Sequence, residues 1–217
     1  MSKRFAVISS TGASVVKTVY AKTSRSIFNL DLIIVDRECG AKEFGKKNNI
    51  RTEMINEAEK NLFSDEILLV LEREKIDYVY LFFTRILKGN LLKNYDERII
   101  NFHPSLLPAC PGLNGFEDTL KSGAMLVGST AHFVDSGIDT GKIILQGFAS
   151  LHSIHSAQLR HVIFSQQCAS LYQIHKKLAN DIPLFDVKSL TSELGQGFLP
   201  NLDSDSLSLY RTILNKE

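Results

Sequence analysis

Cysteine is scarce in this sequence and long apolar runs are missing. Cys39, Cys110 and Cys168 are its 3 cysteines in 217 residues. An odd number with no Cys-x-x-Cys spacing argues against a disulfide framework and a thiolate zinc site, and fits a reducing cytoplasm. The stretch Phe5-Ala6-Val7-Ile8 behind Met1-Ser2-Lys3-Arg4 is too short for a signal peptide, and no stretch is long enough to span a bilayer. An excess of one charge is lacking too. A formal net charge of +1 without a basic arm supplies no field for gathering nucleic acid or an anionic membrane, which argues against both as partners. Neither a G-x-x-x-x-G-K-[ST] loop nor a G-x-S-x-G elbow occurs, so a nucleotide P-loop and a serine hydrolase of that type both fail. No repeat or low-complexity segment is visible.

What is present is a 44% hydrophobic chain, able to bury a substantial core as one globular unit. Phe5 to Ile8 reads as a buried strand, Ser9 to Gly12 as a turn, and Ala13 to about Arg25 as a helix. Leu30 to Val35 is a second strand. Ala41 to Lys47 and Ser64 to Lys75 are helical, the latter with Ser64 as N-cap ahead of Asp65 and Glu66. Tyr78 to Phe83 and Ile99 to Phe102 resume as strands. This alternation predicts an α/β fold with a doubly wound, mainly parallel sheet, binding its ligands at the carboxyl ends of strands. Beyond Phe102 comes a long loop with Pro104, Pro108 and Pro111, then a short helix near Glu117 to Lys121, strands near Thr130 to Val134 and Ile143 to Phe148, and helical character from about Ile154 to Ala179. Residues 1–182 are expected to form the catalytic domain and 183–217 a C-terminal appendage.

Asn101 and His103 stand where the fourth of these strands gives way to the proline loop. Residues two apart on a strand face the same side. Asp139 lies in a second loop between strands, with Gly137 and Gly141 allowing a tight path. An amide, an imidazole and a carboxylate so placed suit acyl transfer: a donor for an oxyanion, a proton manager near neutral pH, and a carboxylate that orients the imidazole. On spacing alone, a loop cap with a satisfied histidine is the commoner account of an Asn-x-His pair. Ser105, between prolines, reads as a turn former, Cys110 as a partly buried thiol, and Phe82 and Phe83 as core. His152, His155 and His161 have no carboxylate or thiolate at a recognised metal spacing, so no metal is expected.

The segments N-F-H-P-S-L-L-P-A-C-P-G-L, from Asn101 to Leu113, and G-S-T-A-H-F-V-D-S-G-I-D-T-G-K-I-I-L-Q, from Gly128 to Gln146, resemble the folate-dependent formyltransferase family, in particular its glycinamide ribonucleotide branch. The likeness extends over roughly residues 4 to 180. It implies that Asn101, His103 and Asp139 are catalytic, that 10-formyltetrahydrofolate is the formyl-donor cosubstrate, and that a small-molecule amine receives the group, glycinamide ribonucleotide of purine biosynthesis first. It further implies that Thr84, Arg85, Ile86 and Leu87 contact the folate and that the loop Asp135, Ser136, Gly137, Ile138 closes over the pterin ring.

Two departures concern the acceptor. The family's phosphate loop reads Gly-Asn-Gly-Ser-Asn, whereas here Ser10 precedes Thr11, Gly12, Ala13 and Ser14; Gly12 is expected to keep the turn, with backbone amides and hydroxyls left to hold an anion. In the last long helix, where the family places an acid near the acceptor, Gln167 stands, and an amide does not attract a cationic amine as a carboxylate does. Another amine, such as a nucleotide-linked amino sugar, a hydrolase of the formyl donor, and a catalytically silent folate-binding protein are the alternatives. Deformylases of the family usually carry a regulatory domain in front and the methionyl-tRNA enzymes a basic one behind; the sequence contains neither, which favours the glycinamide type. The oligomeric state is not encoded in any of these features.

Overall fold

Short buried runs, mostly aliphatic and aromatic, make the central strands of the computed structural model, and β1 (Phe5–Ser9) and β2 (Leu32–Val35) have every residue buried. It describes residues 2–151, 158–185, 191–193 and 196–215. Residues 152–157, with His152 and His155, lie outside the described residues, as does the start of the helix expected from Ile154.

The chain divides into two compact units. Unit one comprises 1–17, 29–101 and 133–141. Its strands follow the order β3 (Arg51–Met54), β2, β1, β4 (Tyr78–Phe82), β5 (Ile99–His103), and all these ladders are parallel. The sheet is therefore of the expected mainly parallel kind, and its strand order reverses between β1 and β4, the switch point at which open α/β sheets bind ligands. Register places Ser9 beside Phe82 and Leu81 beside Asn101, so the loops after β1 and β4 emerge along the edge where Asn101 stands. The core joins Ile8, Ile34, Val79, Leu81 and Ile99 to Phe63, Ile67 and Leu71 of α3 (Lys60–Arg73). Burial of each such side chain contributes about 1.5–3 kcal/mol.

Three local expectations change in this unit. The strand β3 is absent from the sequence reading because Arg51-Thr52-Glu53-Met54 at a sheet edge has no buried residue. Ser64 is not a cap: α3 begins at Lys60, and the buried Ser64 hydroxyl accepts from the Lys88 backbone N–H at 3.1 Å. The left-handed residue after β1 is Ala13, φ 48°, rather than Gly12.

Unit two comprises 18–28, 102–132 and 142–217. Its ladders are antiparallel: β6 (Leu126–Phe133) pairs with β7 (Ile143–Ser150), β7 with β9 (Gln196–Leu199), and β9 with β8 (Thr191–Glu193). Phe116, Val127 and Ala149 pack with Leu159, Val162 and Ile163 of α6 (Leu159–Ala179). The polar Asp203 to Ser208 segment caps and opens a helix, α7 (Ser204–Leu214), the Asp203 carboxylate accepting from the Ser206 N–H at 2.9 Å. Gln173 of α6 clasps the entry to α7, donating to the Asn201 carbonyl and accepting from the Asp203 N–H.

Candidate active site

In unit one, the strand-end loops hold most of the candidate residues. Asn101 Nδ2 donates to Asp139 Oδ1 at 3.3 Å, which brings the amide and the carboxylate together, both half-buried. Asp139 sits at φ 54°, a left-handed conformation that an aspartate tolerates better than most residues. The path into it needs the two glycines: a Cβ on Gly141 would run into the Phe133 carbonyl, and one on Gly137 into Thr140 Oγ1. Asp135 organises the exposed tip, accepting from the Gly137 N–H at 3.0 Å and from Thr140 Oγ1 at 2.8 Å. Ser136 and Gly137 are exposed there, and Ile138 presents an apolar side chain that is 58% exposed.

After β4, Thr84 and Ile86 are exposed while Leu87 is buried in the core. Arg85 is not a loose surface cation. Its guanidinium lies 3.7 Å from the centre of the Phe63 ring, which stacks on Phe83 at 5.6 Å, and its Nη2 donates to the Ala58 carbonyl. After β1, Thr11, Gly12 and Ser14 are exposed and Ala13 is buried as α1 (Ser14–Lys22) begins. Gly40 lets the second strand's helix approach this loop, since a Cβ there would meet Gly12 Cα, and the Thr11 carbonyl accepts from the Ala41 N–H at 3.1 Å. Nearby, burial opposes ionisation of Asp36, yet its two bonds from Arg37 hold the carboxyl below the usual carboxylate range.

In unit two, His103 ends β5 rather than opening the proline loop, and is only 4% exposed. Its Nε2 lies 2.8 Å from the Cys110 carbonyl. A carbonyl only accepts, so Nε2 carries the proton and the neutral ring is the Nε2–H tautomer. The loop that presents this carbonyl is held from within. Ser105 Oγ donates to the carbonyls of Ala109 and Cys110, as befits a turn former. Thr130 Oγ1 donates to the Ser105 carbonyl and accepts from the Leu107 N–H, and Gln146 Nε2 donates to the Leu107 carbonyl and to Thr130. A Cβ on Gly115, which opens α5 (Gly115–Lys121), would run into His103 Nε2. Gln167 of α6 donates from Nε2 to the Phe102 carbonyl at 3.1 Å. Gly115, Thr130 and Gln146 were missed as supporting residues; the only hint was that they lie inside or beside the two motif segments.

His161 Nε2 donates to the Ile213 carbonyl at the end of α7. Among the described residues there is no group of three or more His, Cys, Asp or Glu suited to a metal ion. No helix among them is long and apolar enough to cross a membrane.

A strand-end amide bonded to a carboxylate on a glycine-dependent loop can supply an oxyanion donor and a proton acceptor, which are groups that acyl transfer uses. In agreement with it, residues 3–162 match the family model described as formyl transferase, and the chain belongs to that family. It is 31% identical over 157 residues to the chloroplastic phosphoribosylglycinamide formyltransferase of Arabidopsis thaliana, covering 66% of this chain and 54% of that protein. It is 36% identical over 146 residues to the human trifunctional purine biosynthetic protein adenosine-3, covering 64% of this chain and 14% of that one. The chain thus spans about half or less of the length of these curated relatives. The crystal structure of phosphoribosylglycinamide formyltransferase from Bacillus halodurans superposes with a TM-score of 0.72 at 28% identity, over 82% of this chain and 98% of that one.

Proposed function

We propose that this protein transfers a formyl group from 10-formyltetrahydrofolate to a primary amine, with glycinamide ribonucleotide in purine biosynthesis as the acceptor. The observation that carries the proposal is the Asn101 to Asp139 hydrogen bond, made at the strand-end loops of a chain in the formyl transferase family. Asn101 donates to the oxyanion as the acceptor nitrogen adds to the formyl carbon. Protonated His103 stabilises the same oxygen with its positive charge, and Asp139 supports His103 and relays the proton that the amine loses. The new bond joins the acceptor nitrogen to the formyl carbon, the bond to the folate N10 breaks, and N10 leaves with the proton that Asp139 relays from the amine. Thr84 to Leu87 and Asp135 to Ile138 form the donor side. Thr11, Gly12, Ala13 and Ser14, at the start of α1, offer backbone N–H groups and hydroxyls to the acceptor's phosphate.

The test is an acceptor screen following tetrahydrofolate release with glycinamide ribonucleotide, nucleotide-linked amino sugars, and no amine. Release that depends on glycinamide ribonucleotide is expected. Release without any amine would make the protein a hydrolase, and release only with an amino sugar would move the acceptor.

A further inference from the structure

We infer that Gln167 is a positioning residue for the reaction, acting on the backbone between Asn101 and His103 rather than on the acceptor; this rests on the catalytic roles proposed above. Gln167 is half-buried on α6, and its described bond runs from Nε2 to the carbonyl oxygen of Phe102 at 3.1 Å. Phe102 is the residue that separates Asn101 from His103. Its carbonyl belongs to the peptide unit that leads directly into His103, and its N–H to the one that leaves Asn101. A donor on that oxygen fixes the rotation of the peptide plane, and with it the direction in which the His103 Cα–Cβ bond leaves the strand. The imidazole tolerates little rotation, because Nε2 must reach the Cys110 carbonyl while Gly115 leaves it no more room than a missing Cβ provides. The neutral amide of Gln167 can do this at neutral pH. An ionised carboxylate of the same size has no proton to donate and would set negative oxygen against carbonyl oxygen, and a thioether of the same length would leave the carbonyl without this donor.

The test compares Gln167→Met and Gln167→Glu with the parent enzyme in formyl transfer and, without substrate, in the 15N spectrum of the His103 imidazole. Both variants are expected to lose about 10-fold or more in kcat with the KM of the amine within about 2-fold, and to disturb the Nε2–H signature of His103. Thermal melting verifies that both remain folded. A raised amine KM with kcat intact would overturn the inference in favour of direct acceptor contact, and unchanged kcat with an unchanged imidazole spectrum would overturn it outright. If the parent transfers formyl to no amine while the imidazole signature still shifts in both variants, the positioning role stands and the functional proposal falls.

Discussion

Unit one and unit two hold their candidate site groups in different ways. In unit one, the candidate groups are exposed or half-buried and bonded to other side chains and loop amides: Asp135 to Gly137 and Thr140 within its own loop, and Asn101 to Asp139 across 38 residues of sequence. In unit two, the imidazole of His103 is buried and set by a backbone carbonyl, and that carbonyl sits on a loop cinched by Ser105, Thr130 and Gln146. The physical lesson is a division of labour. On the proposed roles, the exposed groups of unit one are those meant to meet and release a ligand, whereas His103 of unit two, the proposed proton manager, is held in one tautomer by its own unit.

Substitutions of the named groups sharpen that comparison first. His103→Gln and Asn101→Ala should each lower kcat about 10²- to 10⁴-fold in steady-state formyl transfer, the range expected for losing a proton manager or an oxyanion donor. A loss under 10-fold for either would remove it from the catalytic set. Two glycines then test whether the units differ as described. Gly115→Ala forces a Cβ against His103 Nε2 and should cost about 10- to 100-fold in kcat. Gly137→Ala strains only the exposed loop and should raise the KM of the folate donor while sparing kcat. Equal effects on both parameters in both variants would erase the distinction.

Smaller effects follow on stability. Thr130→Val removes a hydroxyl that bonds Ser105, Leu107 and Gln146 inside the protein, and chemical denaturation should show a loss of about 1–3 kcal/mol. His175 of α6 is fully buried against Phe28, and burial holds its imidazole down to about 3 against an ordinary 6.5. The unfolded chain takes up that proton near the ordinary value and the folded chain refuses it. Stability is therefore lost as pH falls through this window, at up to about 1.4 kcal/mol per pH unit. Melting curves of His175→Gln should be flatter than the parent's between neutral pH and about pH 4; parallel curves would show that this histidine contributes nothing to acid sensitivity.

The apolar runs Phe5 to Ile8, Tyr78 to Leu81 and Ile99-Ile100 were legible as strands because a parallel sheet buries both faces of a strand. Arg51 to Met54 was not legible, since an edge strand is held by backbone pairing with Leu32 to Val35 and needs no apolar side chain. The segment expected to be an appendage contributes β9, whose partner β7 lies some 50 residues earlier, and such pairing leaves no local pattern. The same holds at the site. Asn101, His103 and Asp139 were visible as residue types in motif segments, but the bond between Asn101 and Asp139 joins residues 38 apart. The carbonyl that orients His103 has no side chain to betray it.

The sequence alone determined the strand runs of unit one, the family to which the chain belongs, and which amide, imidazole and carboxylate were candidates, because hydrophobic periodicity and motif segments are local. Only the tertiary structure decided that Ala13 takes the left-handed turn, that Ser64 serves the Lys88 backbone instead of a helix end, and that Gln167 grips the peptide before His103. Each of these is a choice among partners distant in the chain, and burial, which makes an unmet donor or acceptor costly, selects the partner that the fold brings within reach.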